Sequence, residues 1–249
     1  QFVIPSMNVR FEGGVFRASG RLSQAGNGAR TGLFALRGRH FFSGGFTGKL
    51  YLELDSGRFF DALLRHYSWR TLSIAGIDAE AKGWFRFTDG RLTRANGTID
   101  LPFLDIAVDG ESIEPIRNLK IRGGWESDAS GGRARVISNG YQWKDHETGP
   151  TALRLRRTEK GFELQANSVA LDPFCQLAIT TRMLPGGLHD KLVGQQPKGL
   201  LRNLSVTLPA NGPWALRSEL DAVGLEAMNG APRVRDLDGF IESGPNSGR

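Results

Sequence analysis

The stretch FELQANSVALDPFCQLAITTRMLPGGLHDKLVGQQPKGLLRNLSVTL, Phe162 to Leu208, decides the class of fold. Phe162, Leu164 and Ala166 alternate with polar residues, the two-residue period of a strand with one greasy face. Asp172-Pro173 then opens a short amphipathic helix. Asp172 is the expected cap, and Pro173 takes the first helical position, where its missing N–H is no loss. Phe174, Leu177, Ala178 and Leu184 share the apolar stripe, and Pro185-Gly186-Gly187 stops it. A helical stub is expected over Leu188–Val193. A second strand begins near Lys198-Gly199 and alternates at Leu204, Val206 and Leu208.

Working outward, a similar unit begins at Lys49. Leu50, Leu52 and Leu54 alternate with Tyr51 and Glu53. A helix is expected over Arg58–Tyr67, and a strand from Gly83 to Phe87 brings Phe85 and Phe87 onto one face. A degenerate third round runs from Leu220-Asp221 through Val223-Gly224-Leu225 to Val234 and Phe240, with only a turn of helix. Units that repeat without a shared reactive group point to a scaffold or a surface.

Turn chemistry fills the gaps. Asn-Gly at Asn27, Asn96, Asn139, Asn211 and Asn229, and Asp-Gly at Asp89, Asp109 and Asp238, are hairpin signals because both residues accept positive φ. Ile99, Leu101 and Phe103 alternate up to Pro102, and Leu104, Ile106 and Val108 continue with the parity changed, which requires a bulge or bend. Leu153 and Leu155 alternate with Arg154 and Arg156. Half-apolar strands of this kind belong to antiparallel sheets; the fully apolar runs of a parallel sheet are missing. The expected architecture is mainly β: one long, curved, largely antiparallel sheet, an open groove with two or three short amphipathic helices. It forms one continuous segment over residues 1–249, with soft seams near 110–117 and 127–132.

The chain has 249 residues, enough for a sizeable core. Its one cysteine, Cys175, excludes an internal disulfide. The net charge of +6 gives mild attraction to anionic surfaces. The basic residues are scattered among strands without a run of five, so no nucleic-acid partner is expected. No apolar stretch approaches the roughly 18 residues that cross a bilayer. Both ends read as cut from a longer protein.

No reactive constellation emerges. His40, His66, His146 and His189 have no metal-ligand spacing with each other or with Cys175. Asp145-His146-Glu147 reads as a solvated turn and Cys175 as a buried structural thiol. G-x-S-x-G, GxGxxG and Walker loops are missing. Asp105 and Asp109 are the carboxylates a glycosidase would need, without further support. Trp69, Trp84, Trp125, Trp143 and Trp214 suit packing before carbohydrate stacking. The chain is expected not to be an enzyme and to need no metal or cofactor.

Several stretches together resemble the central region of the YhdP-type branch of the AsmA-like family. They are Phe162 to Ala166, Val169-Ala170-Leu171-Asp172, Leu188 to Val193, Gln196-Pro197-Lys198-Gly199 leading to Leu204-Ser205-Val206, and Glu219-Leu220-Asp221 through Leu237-Asp238-Gly239. Gly14 through Leu54, the helix to Tyr67 and Gly83 to Leu101 fit the same region more loosely, so the likeness covers most of the chain. It implies the periplasmic portion of a protein anchored in the inner membrane of a Gram-negative bacterium. It implies a chorein-like repeating β-groove along which phospholipid passes between the inner and outer membranes. The membrane contacts would lie in parts outside this sequence.

A one-sided greasy sheet that curls without a covering layer agrees with that implication. The residues expected to line such a groove and hold phospholipid acyl chains are Leu50, Leu52, Leu54, Phe85, Phe87, Leu153, Leu155, Phe162, Leu164, Leu204, Val206 and Leu208. The competing expectation is a closed β-sandwich serving as an envelope scaffold or glycan-binding module, in which the same residues would form a sealed core.

Overall fold

The computed structural model describes residues 2–24, 30–41, 45–55, 60, 68–69, 72–129, 131–182, 184, 186–244 and 247–248. Alternating sequence becomes strand almost throughout. The first half holds β1 (Phe2–Glu12), β2 (Val15–Gln24), β3 (Arg30–Arg39), β4 (Thr47–Leu54), β5 (Ser68–Trp69), β6 (Leu72–Thr88), β7 (Arg91–Val108), β8 (Glu111–Ser112) and β9 (Ile116–Asp128). The second holds β10 (Gly131–Ser138), β11 (Gln142–Trp143), β12 (His146–Glu147), β13 (Thr151–Thr158), β14 (Gly161–Ala170), β15 (Lys198–Pro209), β16 (Ala215–Leu225), β17 (Val234–Gly244) and β18 (Ser247–Gly248). Helices α1 (Leu171–Thr180) and α2 (Gly186–Gln195) lie between β14 and β15.

All eighteen strands belong to one sheet. The long ones follow one another as an antiparallel meander, β1-β2-β3-β4-β6-β7-β9-β10-β13-β14-β15-β16-β17. The short strands β5, β8 and β18 pair with β6, β7 and β17. The hairpin β11–β12 hangs from β9 through Gln142 and Arg117. Among the described residues β1 does not return to β17, so the sheet stays open. The strands pack on their sheet neighbours, α1 packs on β14, β15 and α2, and among the described residues no second sheet lies over the ribbon. This overturns the sandwich expectation. Its sealed core would need a facing layer, and every long strand here is instead used to extend the same ribbon.

Local chemistry explains the details. Leu101 and Pro102 of β7 stand opposite the single Ala79 of β6, because register shifts between Asp78–Phe103 and Glu80–Asp100. This is the bulge that the parity change at Pro102 demands. Asp89-Gly90 turns β6 into β7 with both residues at positive φ, as does Asn229-Gly230 between β16 and β17. Two expected turns lie inside strands instead: Asn96-Gly97 in β7 and Asp238-Gly239 in β17. The sheet ladder on both sides of Asn96-Gly97 outweighs the local turn preference. The turn of helix expected after Leu225 is replaced by the Met228–Ala231 β-bridge. Helix α1 starts at Leu171 without a side-chain cap, so Asp172 and Pro173 sit in its first turn rather than at its boundary. Asp172 accepts a hydrogen bond from Gln176 Nε2 at 2.7 Å. Apart from Phe60, the helix expected over Arg58–Tyr67 lies outside the described residues. Beside the expected seams, Leu104 pairs with Ile116 and Asp128 with Gly131.

Candidate functional site

Side chains alternate across a strand, so register pairs reveal which residues share a face. On one face an unbroken row crosses twelve strands. It runs Val9–Ala18–Leu36–Leu50–Phe85–Ala95 and continues Trp125–Ala134–Leu155–Leu164–Val206–Leu216, each residue directly opposite the next. With strands about 4.8 Å apart, the row is roughly 53 Å long. Two residues along the strands lies a second row, from Met7 through Phe34 and Leu52 to Leu153, Ala166 and Leu204. In its middle, Gly83, Gly97 and Gly123 stand in register across β6, β7 and β9. They leave a strip of bare backbone in the floor. Only the ring of Phe85 leans over it, 2.8 Å from where a Cβ on Gly83 would lie.

All twelve residues expected from the sequence to line a groove fall on this face. Only Leu54, 6 % exposed, is buried. Leu50, Leu52, Phe85, Phe87, Leu153, Leu155, Phe162, Leu164, Leu204 and Val206 are half-buried, and Leu208 is 47 % exposed. A sealed core would bury them.

The two rims differ. At one, Phe16 stacks on Phe41 (4.5 Å between centroids), Phe41 meets Phe46 edge-on, and Phe46 lies against Phe87. The Phe46 ring covers Gly38 and Gly48, where a Cβ would collide with it. The opposite rim is capped by helices. Arg182, just past α1, donates to Asp109 beyond β7 at 2.6 Å, and His146 lies 3.8 Å from Asp172. Trp143 is fully buried there and its indole N–H donates to the Glu114 carbonyl at 2.8 Å. Cys175 is buried in α1, and its thiol is pushed up by burial and, secondarily, by Asp172.

The sequence-level chemical candidates disperse. Asp145 lies in the β11–β12 turn, His146 opens β12 opposite Trp143, and Asp109 is held by Arg182. Asp105 takes only a 3.4 Å bond from the Ser112 hydroxyl, to Oδ2. No described cluster of histidine, cysteine and carboxylates suits a metal ion, and no described helix is long and apolar enough to cross a membrane. Trp84 is 51 % exposed on the opposite face, and Trp125 lies within the apolar row.

What the sequence reading missed is the width of the apolar face. Val9, Ala18, Leu36, Ala95, Trp125, Ala134 and Leu216 belong to the row, but small residues between polar ones give a weak alternation. Phe16, Ala18, Gly20 and Leu22 of β2, and Phe34 and Leu36 of β3, carried the signal that was there to find. No protein-family model, curated protein or solved structure matches the chain.

Proposed function

We propose that this ribbon is a segment of an envelope-spanning lipid-transfer bridge, carrying phospholipid acyl chains along its apolar face between the inner and outer membranes of a Gram-negative bacterium. The observation that supports it is the pair of register-locked apolar rows on a sheet face that no second sheet covers among the described residues. A continuous, partly exposed apolar stripe crossing twelve strands marks an interaction surface. Water is the worst occupant for such a surface, and a hydrocarbon chain the best.

The energetics fit a conveyor. An acyl chain of about sixteen carbons gains on the order of 12 kcal/mol when fully withdrawn from water, at about 0.8 kcal/mol per methylene. The gain is non-directional, so a chain keeps it while sliding. No buried charge or strong polar donor interrupts the rows and traps a headgroup. The bare strip at Gly83, Gly97 and Gly123 leaves room for a chain to lie against the backbone. Transfer in this reading involves no bond made or broken, and so needs no catalytic residue, metal or cofactor. The periplasmic setting and the inner-membrane anchor belong to the same proposal.

The test is lipid occupancy. Protein purified from bacterial envelopes under mild conditions should carry phospholipid visible by mass spectrometry, and delipidated protein should take up a fluorescent phospholipid. A clean sample that also refuses the fluorescent lipid would defeat the reading.

A further inference from the structure

The face opposite the apolar rows carries a charge pattern that only the register reveals. Arg10, Arg17, Arg37, Lys49, Arg86 and Arg94 stand directly opposite one another across β1, β2, β3, β4, β6 and β7. Like charges placed directly opposite work against a sheet. Among the described residues no carboxylate comes within ion-pairing distance of Arg10, Arg17, Arg37, Lys49 or Arg86; Arg94 meets Glu126 at 3.1 Å. Two other cations on this face are neutralised, Lys82 by Glu53 at 3.1 Å and Lys120 by Asp100 at 2.8 Å.

Beside the cations runs a parallel row of neutral side chains: Asn8, Ser19, Ala35, Tyr51, Trp84 and Asn96. Between the two rows lies a groove of about 620 Å³, floored by backbone. It shares Trp84, Arg94 and Asn96 with a second groove of about 980 Å³, where Arg135 and Arg154 continue the line of the neutral row to Gln165 in β14 and the line of the cations becomes mixed, Glu126–Arg133–Arg156–Glu163. Together they cross ten strands, roughly 43 Å at about 4.8 Å per strand.

We infer that this groove binds an extended acidic polysaccharide, a glycan with a carboxylate on successive sugars. Over β1 to β7 the furrow has one cationic wall, and farther on Arg135 and Arg154 supply cations from the other side; this matches a narrow polyanion, whereas a flat anionic membrane would touch only the crests. The neutral wall offers amides and hydroxyls for sugar hydroxyls. Its aromatic contribution is a single pair, Tyr51 and the exposed Trp84, with centroids 5.2 Å apart. One stacking platform suits one sugar ring; single-stranded nucleic acid calls for successive platforms, base after base. Guanidinium groups match carboxylates in planar, two-point geometry. This inference stands apart from the lipid reading, since it concerns the other face of the sheet.

The experiment titrates the full chain with linear oligogalacturonate at low salt, following tryptophan fluorescence and calorimetry. Saturable binding should appear and weaken steeply with added salt. The triple change Arg17→Gln, Arg37→Gln and Lys49→Gln should weaken it by roughly tenfold or more. Arg91→Gln, Lys160→Gln and Lys191→Gln remove the same charge away from the groove and should leave it within about twofold. The groove variant should melt no lower than the parent, because like-charge opposition is relieved. Trp84→Leu should abolish most of the fluorescence response. Lack of binding, equal loss in both triple variants, tighter binding of a thymidine oligonucleotide, or binding confined to phosphatidylglycerol vesicles would each overturn the inference.

Discussion

The middle of the ribbon and its helical rim use the same apolar residues to opposite ends. At the rim, Trp143, Ile116, Val108, Cys175 and Ala178 are all buried, and Trp143 satisfies its one polar atom on a backbone carbonyl. In the middle, Leu50, Phe85, Leu155 and Val206 stay half-exposed beside their cross-strand neighbours. In the proposed reading, stability and occupancy are therefore separated in space. The rim behaves as an ordinary core, where a lost atom leaves a cavity. The middle behaves as a surface, where a lost atom is replaced by water or by ligand.

The sharpest way to break that contrast is Trp143→Ala. It should cost about 3–5 kcal/mol, as for a fully buried aromatic, and lower the melting temperature strongly. Leu52→Asp in the floor should cost far less, about 1–2 kcal/mol, because its carboxylate stays hydrated. Lipid uptake should nonetheless collapse. Comparable melting losses for the two variants would mean that the floor is a sealed core. Gly123→Phe sharpens the point further. An added Cβ there meets nothing nearer than the Arg135 carbonyl at 3.6 Å, so the change should alter stability by less than about 1 kcal/mol. The ring would obstruct the bare strip and slow lipid passage in a vesicle-to-vesicle assay.

Cys175 reports on the rim alone. Burial keeps its thiol protonated, so a maleimide should react only as fast as the protein opens, and faster in Trp143→Ala than in Leu52→Asp. The smallest effect concerns pH. The Arg133 guanidinium, by hydrogen bonding and by charge, with Arg94 adding to it, holds the Glu126 carboxyl below its usual range. A lowered folded value means the contribution is present above the ordinary carboxylate range and fades as pH falls through that folded value. The pair is exposed, so Glu126→Gln should flatten the acid limb of the stability curve only slightly in calorimetry.

Much of the ribbon was legible in the sequence because alternation is a local property. The stretches around Leu50, Phe85, Leu153, Phe162 and Leu204 declare their faces within a few residues, and the structure places all of them on one side. Pro102 announced its bulge by the same logic. Asn96-Gly97 misled because a dipeptide carries turn preference without saying whether ladders exist on both sides. The cationic row was hidden for a different reason. Arg17 and Arg37 are far apart in sequence and become neighbours only when β2 pairs with β3. Composition reports +6 and scatter; register turns part of that scatter into a line.

The central claim is that hydrocarbon lies on one face of the sheet and not on the other. Trp125 and Trp84 sit on those two faces and supply the readout. Two variants would each keep buried Trp143 as a constant background and one of this pair, with the remaining tryptophans replaced by Phe. Brominated-chain phospholipid should quench Trp125 strongly and leave Trp84 unchanged. Equal quenching of both, or quenching of Trp84 alone, would contradict the account.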